Sequence, residues 1–309
     1  AAISFNATAD INTSNTAKTI QTNNGDITLN ADSDGNSAGV LNPDYTTYAA
    51  GTGTLTWRAN TVTWDVTSNA TKPNLTGSRG AFVFESNAST FGQGIDLTNW
   101  IVFPSTLTSL RFGKTTNTSD LNLTATGISV AGPVTIYGGN IGVSANVTST
   151  VSGAAINITG TKKISVGTST TVQTSLGEIN FKASSLAGTD GGIDLGSSSA
   201  LRSFGGNITL GGGYNGSQGN GLYAATANAP GVLLTSSTID AAGGNIKIYG
   251  RNTAAYDDGI RINGSTITTN GTGTIGIYGD SYGGSNGTNH FNGVTLMGTG
   301  TTLQTSSGA

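Results

Sequence analysis

Apolar pairs spaced i, i+2 return along this chain in sets of three, with Gly, Asn, Ser and Thr between them. Six sets are regular. They run Val134, Ile136, Ile141, Val143, Val147; then Ile156, Ile158, Ile164, Val166, Val172; then Ile179, Phe181, Ile193, Leu195, Leu201. The remaining three are Ile208, Leu210, Val232, Leu234, Ile239; Ile246, Ile248, Ile260, Ile262, Ile267; and Ile275, Ile277, Val294, Leu296, Leu303. Alternation at period two gives a strand with one buried face, and three short strands bounded by turn residues make one turn of a parallel β-helix.

The connections separate into constant and variable ones. Val172 to Ile179, Leu201 to Ile208 and Ile239 to Ile246 are each seven residues, and Ile267 to Ile275 is eight, so this corner is fixed. The connection from first to second strand instead stretches from Ile136–Ile141 to Leu210–Val232, as expected of insertions leaving one edge of a solenoid. Three long insertions, residues 211–231, 250–259 and 279–293, therefore belong to one face.

Toward the N-terminus the pattern loosens, with further coil starts at Ile3, Ile27, Leu55, Phe82 and Leu110, which brings the expected total to about eleven coils. The expectation is all-β: one solenoid segment over residues 1–309, with less regular, aromatic-rich coils in 1–109 and regular coils in 110–309. At about 4.8 Å per coil the stack is a rod on the order of 50 Å long. Trp57 lies on the apolar parity with Leu55, and Trp64 on that of Val62 and Val66; Phe82, Phe84, Phe91, Trp100 and Phe103 follow.

Composition agrees. With 48 glycines and only 9% charged residues, the chain has no stretch of 3.6-residue apolar period from which to build helical layers. It has no Cys, one His (His290) and a net charge of −3, with Lys and Arg scattered. This leaves no electrostatic footprint for nucleic acid, and no apolar run long enough for membrane insertion. The lack of thiols suits an oxidising compartment.

One resemblance is carried by particular residues. Leu110-Arg111-Phe112-Gly113, Asp120-Leu121-Asn122-Leu123 and Gly127-Ile128-Ser129-Val130-Ala131-Gly132-Pro133-Val134-Thr135-Ile136-Tyr137-Gly138-Gly139-Asn140-Ile141 follow one grammar, and Gly205-Gly206-Asn207-Ile208 and Gly243-Gly244-Asn245-Ile246 repeat its last unit. This resembles the repeats of filamentous-haemagglutinin-like large exoproteins, the two-partner-secreted adhesins. The resemblance implies a right-handed β-helix, the shaft of a long adhesin exported through an outer-membrane pore to the surface of a Gram-negative-type bacterium. It also implies cell-surface glycans or proteins as partners. The family's N-terminal secretion cap is not evident at Ala1, so the piece is expected to lie within a longer chain.

Chemistry is sparse. Carbohydrate-active β-helices set two carboxylates across a sugar bond on adjacent coils. The outward columns read Gly142, Ser165, Asp194, Leu233, Arg261, Thr295 and Thr135, Asn157, Asn180, Thr209, Lys247, Gly276, and neither brings two carboxylates together. The remaining acidic cluster is Asp257 and Asp258 with Asp280. The expectation is therefore a non-enzymatic shaft with no cofactor; a polysaccharide lyase or hydrolase, and a filament subunit stacking head to tail on neighbouring copies, are the alternatives.

Three candidate sites remain. Tyr214, Tyr223, Tyr256, Tyr282 and Phe291 lie in the insertions and would offer rings to a ligand, with Tyr249 and Tyr278 stacking one coil apart beside them. Asn30, Asp32 and Asp34, followed by Gly35, match the first half of a calcium loop, but Leu41 stands where its bidentate Glu belongs, so a polar turn is the plainer reading. Fourteen Asn-x-Ser/Thr triplets include Asn122, Asn157, Asn207 and Asn263 as glycosylation candidates, although alternation alone produces such triplets on half-buried strands.

Overall fold

In a computed structural model, residues 1–13, 16–64, 72–97, 101–124, 126–183, 191–213, 223–227, 229–253, 257–281 and 292–306 are described. Among them every regular element is a strand and every pairing is parallel, which makes the chain a parallel β-helix with three strands per coil. Eleven first strands begin at or next to the expected coil starts, from Ile3–Asn6 to Ile275–Ser281. The chain divides into two compact units, Ala1–Gly138 and Gly139–Ala309.

In the second unit the apolar sets stack in register on all three faces. On the first face Ile156, Ile179, Ile208, Ile246 and Ile275 form one column. On the second, Ile141, Ile164, Ile193, Val232, Ile260 and Val294 form another. The third column is Val147, Val172, Leu201, Ile239, Ile267 and Leu303. Each inward side chain from Ile156 to Ile267 in these columns is essentially inaccessible, so the core is a narrow apolar shaft walled by backbone hydrogen bonds.

The corners are set by left-handed backbone. Ser169, Ser198, Ser236, Gly264 and Gly300 have φ of 57, 59, 43, 60 and 82°, and each stands three residues before the inward residue of its third strand. Before the first strands, Gly153, Leu176, Gly205 and Gly243 occupy the same place with φ of 81, 62, 120 and 118°. The eight-residue step uses Gly271, one residue earlier, at φ 58°. The Gly-Gly-Asn unit now has a physical reason. Its first glycine takes the left-handed turn, and its second leaves no room for a side chain, since a Cβ on Gly206 or Gly244 would stand 2.0 Å from the carbonyl of Gly177 or Gly206 one coil away.

Buried hydroxyls close the same corner. Thr174 Oγ1 donates to the Gly177 carbonyl at 2.6 Å, Ser203 Oγ to Gly206 at 2.5 Å and Thr269 Oγ1 to Gly244 at 2.7 Å. In these three coils the third strand's second inward position is a hydroxyl, and in the coil of Ile239 it is the small Ala241, which is why one large apolar residue marks that strand in the sequence.

The first unit keeps its first face in register, with Ile3, Ile27, Leu55, Phe82, Leu110 and Val134 aligned. Its other faces are fragments: Ile11 with Leu41 and Leu41 with Val62, Ile95 with Leu121, Lys18–Gln21 with Thr46–Ala49, and single bridges at Asn74. Aromatic rings fill its interior. Trp57 packs edge-on against Tyr48, Phe82 and Phe84 at centroid distances of 5.4, 5.1 and 6.2 Å, and Phe82 and Phe112 both meet Phe103 at 5.6 Å. Trp64 is half-buried against Trp57, while Val66 and Trp100 fall outside the described residues.

Candidate functional site

The outer face of the first sheet in the second unit gathers the groups best suited to a ligand. Asn157, Asn180, Thr209, Lys247 and Gly276 form an outward column in the expected order. Their amides link coil to coil: Asn180 Nδ2 donates to Asn157 Oδ1 at 3.1 Å and to Glu178 Oε2 at 3.2 Å. Asn207 Nδ2 donates to Glu178 Oε1 at 3.3 Å, and Asn207 Oδ1 accepts the Asn245 amide at 2.9 Å. Glu178, Asn180, Asn207, Thr209, Asn245 and Lys247 line a small open groove of about 90 Å³.

Two residues past this column, Tyr249 and Tyr278 face outward in register and stack at 4.7 Å and 10°, as the sequence suggested. The Tyr278 ring lies over Gly276, where an added Cβ would be 2.8 Å from Cε2, and its residue is 46% exposed. Tyr223 closes the inner end of this run, meeting Tyr249 edge-on at 6.0 Å. Burial raises the Tyr223 phenol above its ordinary value, with Asp280 adding to the effect and Arg251 opposing it; burial likewise raises Tyr249. Both hydroxyls are therefore neutral donors at physiological pH.

Of the five insertion aromatics expected to offer rings, Tyr214, Tyr256, Tyr282 and Phe291 lie outside the described residues. Tyr223 is 5% exposed and serves as packing. The reason is that residues 211–231 do not all project: Ala224–Thr226 is an additional strand paired with Gly250–Asn252. The better exposed ring is Tyr278, detectable in sequence only through its match with Tyr249 one coil earlier.

The acidic cluster resolves into ion pairs. Arg261 Nε holds Asp258 Oδ2 at 2.9 Å and its Nη2 holds Asp257 Oδ1, while Arg251 Nη1 sits 3.2 Å from Asp280 Oδ2. In the first unit Glu85 bridges Arg58 and Arg111, each at 2.8 Å. Burial would raise the Glu85 pKa, but the hydrogen bonds and charges of the two guanidinium groups outweigh it and hold it below the ordinary value.

Asn30, Asp32 and Asp34 do not converge as a ligand loop. Asp34 turns to its neighbour, accepting Asn36 Nδ2 at 2.8 Å, and Asn30 Oδ1 accepts Asn87 Nδ2 at 2.5 Å, while Asp32 is fully buried. Among the glycosylation candidates Asn122 is exposed; Asn157, Asn207 and Asn263 are half-buried, the first two with their amides in the ladder. No group of three or more His, Cys, Asp or Glu placed to hold a metal occurs among the described residues, and no helix among them is long and apolar enough to cross a membrane. No family model, curated protein or solved structure matches the chain.

Proposed function

We propose that this β-helix is a structural shaft segment of a large secreted cell-surface adhesin or extracellular fibre, of the filamentous-haemagglutinin-like kind, on a Gram-negative-type bacterium. The observation that carries the reading is the register: polar amides outside and aliphatic columns inside repeat coil after coil, while the arginine-paired aspartates supply no free acid and base. The stacked Tyr249 and Tyr278 beside the amide groove favour contact with surface glycans, whose apolar ring faces lie on aromatic planes while their hydroxyls bond to amides.

A second reading is a filament subunit that stacks on neighbouring copies: Leu296, Leu303 and Phe5 are 51%, 41% and 45% exposed, apolar surface that another copy would cover.

Binding of the purified chain to host-cell glycans on an array tests the adhesin reading. Tyr278→Ala is expected to lower glycan binding at least about fivefold, the loss of a stacking interaction worth about 1 kcal/mol, without changing the melting temperature by more than a few degrees. Unchanged binding, or none by the wild type, leaves this face as scaffold alone.

A further inference from the structure

Asp32 is 0% exposed, and neither of its carboxylate oxygens has a hydrogen-bond partner. A buried carboxylate left in that state is strongly disfavoured unless a cation compensates it. The basic residues around it are engaged elsewhere. Arg58, opposite Asn30 in register, is turned to Glu85, and Lys114 Nζ donates to the Asn87 carbonyl at 2.9 Å.

The adjoining coil offers a matching oxygen. Asn60 follows Arg58 by two residues as Asp32 follows Asn30, and its Oδ1 is likewise buried and partnerless. Gly39 joins the two corners: its carbonyl accepts the Asn60 amide at 2.9 Å, and an added Cβ would stand 2.8 Å from the Asp32 nitrogen. One coil further, Ser86 Oγ is buried without a partner as well.

We propose that Asp32 and Asn60 hold a hard, oxygen-seeking cation of the calcium class between coils two and three, with carbonyls and water completing its shell. A single carboxylate places the affinity at the weak end for such sites, about 10⁻⁴–10⁻³ M, in the range used by extracellular modules. The ligand pair is Asp32 with Asn60 across coils, and Asp34 is not part of it.

Trp57, Trp64 and Trp100 are the chain's three tryptophans, so tryptophan fluorescence follows the first unit alone. Moving the full chain from chelator to 10 mM CaCl₂ is expected to raise that melting temperature by about 3–8 °C. Asp32→Asn should abolish the rise and, in chelator, melt at or above the wild type, because the uncompensated charge is gone. Asp34→Asn should keep the rise. Calorimetric titration of the wild type with CaCl₂ supplies a readout that survives misfolding of a variant. A wild type that shows neither heat of binding nor a melting shift overturns the proposal, as does an undiminished shift in Asp32→Asn.

Discussion

Glu85 bridges two arginines from the coils on either side of its own, and its side chain is only 12% exposed. Its folded pKa lies below the unfolded value of about 4.3, so the unfolded chain takes up the proton first. The stabilisation is therefore complete above that value and disappears as pH falls through the folded pKa. Glu85→Gln is expected to cost about 1–2 kcal/mol at pH 7, with the gap from wild type closing below about pH 4, as read from paired melts. A gap independent of pH would mean that shape rather than charge is lost. Leu176 carries a different kind of strain. It is 56% exposed at φ 62°, in the place where the next two coils use Gly205 and Gly243. Leu176→Gly should raise stability by about 1 kcal/mol by denaturant melt, because relief of the left-handed penalty exceeds the little packing that so exposed a side chain provides.

At the scale of the strand, inward and outward positions differ by one residue and by nearly the whole energetic effect. Ile262 is stacked between Leu234 and Leu296 and fully buried, so Ile262→Asp should cost about 3–5 kcal/mol. Thr209, between Asn180 and Lys247 on the outer face, should accept Asp within about 0.5 kcal/mol. Equal shifts in denaturant midpoint would contradict the register. That register was readable because side-chain direction in a strand has period two, and a column of Ile, Val and Leu tolerates no slip. Three things were not readable. The corner hydroxyls of Thr174, Ser203 and Thr269 belong to ordinary Thr and Ser until their carbonyl partners are placed. The strand Ala224–Thr226 is too short to alternate and lies within a Gly-rich insertion. Asp32 belongs to a turn-like string, and the close approach of Gly39 to its backbone is one that no local spacing foretells.

For the molecule as a whole, apolar residues of the inward parity are exposed at Leu296, Leu303 and Phe5. Replacing Leu296 and Leu303 together by Lys should reduce concentration-dependent association in sedimentation velocity while changing the melting temperature by only a few degrees, since the substituted side chains already face solvent. Association that persists unchanged would locate self-contact elsewhere on the surface.

The regular spacing of partners also bears on how the chain reaches its native state. Residues hydrogen-bonded across coils are separated by 23 positions at Asn157 and Asn180, and by 38 at Asn207 and Asn245, where the longest insertion intervenes. Closing the longer loop adds only about 0.4 kcal/mol of chain entropy. These coils thus close by nearly the same short search, so a polypeptide emerging from one end can organise turn upon turn without waiting for its distant half.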